Sequence, residues 1–142
     1  MLGTQFLRRS RAPVRNGVEC VEVAMTLPVF LIVVFATVEL THHWHVEKML
    51  KIAAYEAMKA GADSSGTADD AIQTFEQHTT ALGIVGAELE LDESSFDLAN
   101  PGEMLSCRGI APTTGNKIEL PFELYASDTI TGGWVYYRKE GF

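Results

Sequence analysis

The constraint that dominates this chain is an apolar run, Val21 to Leu40, that opens directly behind a cluster of arginines. The run is ~20 residues, which at about 1.5 Å of rise per residue spans roughly 30 Å, the thickness of a hydrocarbon core. Its uncharged centre extends from Val23 to Val38, and Glu39 closes it. Val29 to Ala36 is apolar on every face, so no amphipathic stripe marks it as the core helix of a soluble domain. A secretory signal peptide is the competing reading, but such peptides carry a 7–15-residue apolar stretch and a small-residue cleavage site. This run is longer, and it leads into Glu39-Leu40-Thr41-His42-His43 without a break in helical pattern. The span is expected to be retained.

Charge orients it. Arg8, Arg9, Arg11 and Arg15 precede the span, and residues 1–17 hold no acid. By the positive-inside rule the N-terminus stays in the cytoplasm and the rest is exported, giving a single-pass protein of the inner (cytoplasmic) membrane. Beyond the leader lie seven of the 11 basic residues and all 19 acidic ones, within a net charge of −8. Such an acidic surface argues against nucleic acid as a partner. The two cysteines, Cys20 and Cys107, are expected on opposite sides of the membrane and therefore unpaired.

Four segments follow: a basic cytoplasmic leader over 1–17, a transmembrane helix over 18–41, an extramembrane continuation of that helix over 42–66, and an exported α/β head over 67–142. The helix is expected from about Val18 to Ala62. After the span, Val46, Leu50, Ala53, Ala57 and Gly61 fall on one narrow stripe of mostly small residues, suited to close approach by its own small domain or by neighbouring helices. Glu47 and Lys51 form an i,i+4 pair of favourable sign. A second helix is expected over Ala68–Leu82, with Thr67 and Asp70 as a capping box and Ile72, Phe75 and Thr79 or Leu82 as its apolar face. Gly83 and Gly86 end it. Ala87–Asp92, Met104–Ile110, Lys117–Phe122 and Gly133–Lys139 read as strands, the third edged or ended by Pro121, and Asn100-Pro101-Gly102 as a turn. The fold class is α+β: a long N-terminal transmembrane helix continuing into a small head with a short helix and an antiparallel sheet.

Little in the chain resembles catalytic machinery. His42, His43 and His45 flank Trp44, and Glu39, His43 and Glu47 form an i,i+4 ladder, spacings that can hold a metal on a helix face. These sets lie on different faces, His78 is isolated, and a headgroup-level belt around Trp44 accounts for them more simply. Asp69-Asp70 reads as a helix cap, and Asp92-Glu93 and Ser64-Ser65 as loops. No nucleophile motif, phosphate loop or dinucleotide fingerprint is present. The expectation is a protein that is not an enzyme, with no metal, no cofactor and no small-molecule substrate.

Glu22 is the odd residue. A charge at the centre of a membrane helix costs about 2.5–3.5 kcal/mol, less near an end, and still does nothing for an anchor. Cleavage after Gly17 would free an α-amine on Val18, roughly 6 Å or one turn from Glu22. The two charges could then neutralise one another within a subunit or between staggered subunits. An incidental acid at the cytoplasmic interface, like Glu19, is the plain alternative.

On these residues the N-terminal third resembles the TadE-like family of tight-adherence (Flp-type) pilus proteins, pseudopilins related to type IV prepilins. The resemblance rests on the leader with Arg15-Asn16-Gly17, on Val21-Glu22-Val23-Ala24, Leu27-Pro28, the apolar run and Glu39, and on the Ala/Gly-rich stretch Ala53–Ala62. It implies that Gly17 and Val18 flank a prepilin-peptidase cut, that Glu22 is the registering acid, and that Pro28 is the family's in-membrane proline, at which the helix can bend. It also implies three partners: the lipid bilayer, other pilin-like subunits and prepilin peptidase. Glu19 and Cys20 depart from the small apolar residues usual at their positions. The competing functions are an unprocessed membrane-anchored envelope adapter that binds another protein, and a membrane-anchored enzyme.

Overall fold

The computed structural model describes residues 16–91, 96, 98–120 and 127–140. Its elements are α1 (Asn16–Gly61), α2 (Ala68–Ala81), β1 (Glu88–Leu91), β2 (Met104–Pro112), β3 (Thr129–Thr131) and β4 (Val135–Arg138). The fold is α+β, with a long apolar helix, a short helix and an antiparallel sheet, as expected. The chain forms two compact units, Met1–Phe35 and Ala36–Phe142.

In the second unit β2 is the central strand. β1 pairs with it through Glu88↔Ile110 to Leu91↔Cys107, β3 through Ile110↔Thr131 to Pro112↔Thr129, and β4 through Met104↔Arg138 to Cys107↔Val135. Every pairing is antiparallel. β2 buries Leu105, Cys107, Gly109 and Ala111 and turns the intervening residues outward, the period-2 pattern of a sheet with one covered face. That face lies on the small-residue stripe of α1. Leu50, Ala53, Ala54, Ala57 and Met58 are fully buried, with Val46 and Ala62 beside them. The stripe is therefore covered by the chain's own head, and it is wider than the predicted row because Ala54 and Met58 are covered too.

Small residues on both surfaces set the spacing. A Cβ on Gly132 would lie 2.7 Å from the Lys51 amide nitrogen and 2.9 Å from the Leu50 carbonyl carbon. A Cβ on Gly109 would lie 2.9 Å from the Phe75 ring and 3.0 Å from the Leu50 carbonyl oxygen. At these two glycines the head comes down onto the backbone of the helix itself. Phe75 of α2 and Phe96 supply the bulk that the alanines lack, and both are buried. Tyr55 and Tyr137 pack edge to face at 6.1 Å.

The head is tied to the end of α1 by hydrogen bonds. The Lys139 ammonium donates to the Gly66 carbonyl at 3.0 Å and the Gly61 carbonyl at 3.4 Å, and the Glu140 amide donates to the Ala62 carbonyl at 2.8 Å. These donors satisfy carbonyls that a helix end leaves open.

α2 starts as expected. The Asp70 amide donates to the Thr67 hydroxyl at 3.3 Å, and the Thr67 amide donates to the Asp70 carboxylate at 2.9 Å. Hydrogen bonds from the Thr67 hydroxyl and then its amide hold the Asp70 carboxyl below its ordinary value of 3.8. A depressed folded-state value means that the stabilisation is present above that ordinary value and lost as pH falls through it and below. The Tm difference between wild type and Asp70→Asn should be full at neutral pH and shrink progressively on acidification. A difference that does not change with pH would show that the box contributes through geometry alone.

Four expectations need correction. Residues 117–120 form no strand, because Asn116 turns the chain there, and Pro121 and Phe122 lie outside the described residues, as do Asp92 and Glu93. β3 is an additional strand, created where 129–131 continue along β2 ahead of β4. Leu82 lies beyond α2 and is exposed, and Ala68 and Ala71 join Phe75 and Thr79 on the buried face. Glu47 and Lys51 form no ion pair with one another, in keeping with the small worth of exposed i,i+4 pairs.

Candidate membrane and assembly segment

The first part of α1 has the composition and length of a membrane span. Every residue from Gly17 to Val34 is exposed, including Val18, Val21, Met25, Phe30 and Val33, and none of its most apolar 18-residue window is buried. An apolar surface open on all sides is costly in water and natural in lipid. The polar groups inside it are satisfied locally: the Thr26 hydroxyl donates to the Glu22 carbonyl at 3.0 Å and has the Val23 carbonyl at 3.3 Å. α1 is continuous across Pro28, whose missing N–H leaves the Ala24 carbonyl without its usual i+4 donor.

Gly17, Val18 and Glu22 all fall in the first turns of α1. A Cβ on Gly17 would meet nothing within 4 Å, and its φ is not positive. No packing or conformational demand among the described residues therefore requires a glycine there. Val18 is 70% exposed. The Glu22 side chain is exposed and has no hydrogen bond or ion pair among the described residues. The segment thus keeps an unexplained glycine and, five residues on, an acid without a partner among the described residues, on an apolar helix that none of them covers.

Of the histidines around Trp44, His42 meets the head. The His42 Nε2 lies 3.0 Å from the Asn116 carbonyl oxygen, while His45 is exposed. No cluster of three His, Cys, Asp or Glu able to hold a metal occurs among the described residues. Asn116, to which the sequence drew no attention, is the organising residue: its side-chain oxygen accepts from the Val85 amide at 2.8 Å, and its amide donates to the Val85 and Pro112 carbonyls at 2.7 and 2.8 Å. Both cysteines are free. The Cys107 thiol is buried 3.6 Å from the Ala54 carbonyl, and burial pushes its pKa up to about 12, which makes it a packing residue and not a nucleophile.

No curated protein matches the chain. No solved structure matches it. A family model does, and it falls on α1 from the unexplained glycine to the buried alanines: residues 17–58 match the family described as TadE-like protein, so this chain carries a TadE-like segment, as the resemblance in its sequence implied.

Proposed function

We propose that the protein is a single-pass pseudopilin, a minor structural or assembly component of a tight-adherence (Flp/type IV-like) pilus or a related secretion system. The TadE-like segment and the candidate membrane helix fit a membrane, pilus-associated protein. The observation that carries the finer reading is their coincidence on one helix, in which Gly17 has no structural reason to be glycine. In this reading the leader stays cytoplasmic, prepilin peptidase cuts between Gly17 and Val18, and the helix resides in the inner membrane before passing among other pilin-like subunits. The acidic head faces outward, without catalytic activity and without a nucleic acid or small-molecule partner.

The test is the N-terminal residue of the protein isolated from its native membrane, beside a Gly17→Ala variant. The expected wild-type chain begins at Val18, and the variant keeps its arginine leader while melting like wild type, since the added methyl meets nothing. A wild-type chain that retains Arg8–Gly17 would sink the processing step and make the static envelope adapter the better account.

A further inference from the structure

Two loops form the end of the head that lies where the apolar run of α1 stops. α2 returns alongside α1: a Cβ on Gly61 would lie 2.8 Å from the Ala71 Cβ, and Leu82, just past the other end of α2, lines a cleft with His45 and Met49. β2 runs the same way, with Cys107 at the Ala54 carbonyl and Gly109 at the Leu50 carbonyl. Beyond its end, Lys117 and Ile118 line a second cleft with Glu39 and His43. Asn116 ties the loop of residues 82–87 to that of residues 113–118 through its side-chain bonds to Val85, and its carbonyl meets His42. Glu39 and Leu40, which close the apolar run, belong to the same compact unit as the head. The two loops therefore form one platform at the level where the run ends.

We infer that this platform rests on the outer surface of the bilayer that the span crosses, with Leu82, Val85 and Ile118 set into its headgroup layer. Three observations select lipid as the occupant. The first is position: the end of an apolar span marks the boundary between lipid and water, so loops packed against Glu39–His45 stand at that boundary. The second is charge. Residues 82–87 and 113–118 contain no carboxylate and one lysine, on a chain of net charge −8. Carboxylates within a Debye length of anionic headgroups are repelled, and the end of the head nearest them is free of acids in both loops. The third is the surface itself. Val85 is 61% exposed, and Leu82 and Ile118 are exposed as well, single aliphatic side chains that suit a fluid apolar medium needing no shape match. Trp44, exposed at the same level of α1, continues the layer around the helix. Leaving the membrane then means withdrawing the platform as well as the span. The inference rests on the membrane reading above but not on cleavage at Gly17.

The experiment uses the full chain reconstituted in vesicles of phosphatidylethanolamine with phosphatidylglycerol. Cys20 is replaced by serine, and Cys107 is buried and takes no label. A nitroxide is attached in turn to Val85→Cys and Ile118→Cys on the two loops, to Asp69→Cys at the far end of α2, and to Val29→Cys in the apolar run, all exposed positions. The Val29, Val85 and Ile118 labels should be relaxed by dissolved oxygen more strongly than by a water-soluble nickel chelate, and the Asp69 label the reverse. Nickel relaxation at Val85 should be about ten-fold below that at Asp69, because a polar complex is excluded from an apolar layer. The pattern should survive dilution of the protein with further lipid. A Val29 label in lipid with either loop label open to nickel would overturn the platform and leave the membrane reading standing. A Val29 label open to nickel would overturn both. Loop labels shielded only at high protein density would overturn the inference in favour of a protein contact.

Discussion

Gly132→Val should unfold the head at a temperature well below that of wild type. The reason lies in what the new side chain meets. Even the first added carbon falls within 2.9 Å of backbone atoms of Leu50 and Lys51, and a helix backbone, unlike the far end of a side chain, does not give way. The branched side chain must therefore lift the β3–β4 corner off α1. That movement exposes Leu50, Ala53 and Ala54, which are fully covered in the wild type, and loosens Val135 and Ile130. Overpacking a core costs about 1–3 kcal/mol and sometimes more, and the rigid neighbour puts this case at the upper end. For a domain of roughly 100 residues each kcal/mol is worth about 4–8 °C, so Tm should fall by about 10–20 °C. Near-UV circular dichroism of the full chain in detergent reads this without interference from the apolar helix. Gly132→Ala should fall in between, and Gly17→Ala should leave Tm unchanged. A Gly132→Val protein that melts within a degree or two of wild type would mean that the sheet does not sit directly on the helix backbone.

That close contact also marks where the sequence stops being informative. The row Val46, Leu50, Ala53, Ala57 and Gly61 was legible because buried residues on a helix recur at its own period, and all five are buried. Their smallness told of close approach but not of what approaches, since that depends on Gly109 and Gly132, some 50 to 80 residues further along the chain. The α2 cap was legible because its partners are three residues apart. β3 was not: three residues between Ser127-Asp128 and Gly132-Gly133 carry no alternation of their own, and they become a strand only because β2 is long enough to pair with them after β4 has ended. Lys117–Leu120 shows the converse, an alternating pattern that forms no strand. The setting of the histidines was not legible for a related reason. Helical spacing gives only which histidines neighbour one another along α1, whereas His42 lies against the carbonyl of Asn116, a contact across 74 residues that no local pattern encodes. In the candidate assembly segment the apolar run and the Gly17–Glu22 spacing were visible from the start, because each is defined within a few turns of one helix.

Glu22→Leu should leave the protein in the membrane and remove it from any assembly. Insertion itself should improve, since the substitution deletes a charge that costs up to about 2.5–3.5 kcal/mol near the centre of a span and less at its edge. Assembly is a different environment. If Val18 is the first residue of the mature chain, its α-amine lies one helical turn from position 22, and packing helices around both charges is tolerable only when they neutralise one another. Removing the acid strands the amine, and breaking a buried ion pair from one side costs about 3–5 kcal/mol. The assembled fraction should accordingly drop by about two to four orders of magnitude, with the membrane pool undiminished. Glu22→Gln should behave like Glu22→Leu despite its similar size, because size is not what the site lacks, and Glu22→Asp should retain part of the activity. Glu19 supplies the control: it is an exposed acid in the same turns, and Glu19→Gln should change neither fraction. The measurement is the ratio of chain in sheared surface fibres to chain in washed membranes, by quantitative immunoblot. A Glu22→Leu protein that enters fibres as well as wild type would make Glu22 an interfacial acid of no more consequence than Glu19, and would remove the reason for a cut that exposes an amine beside it.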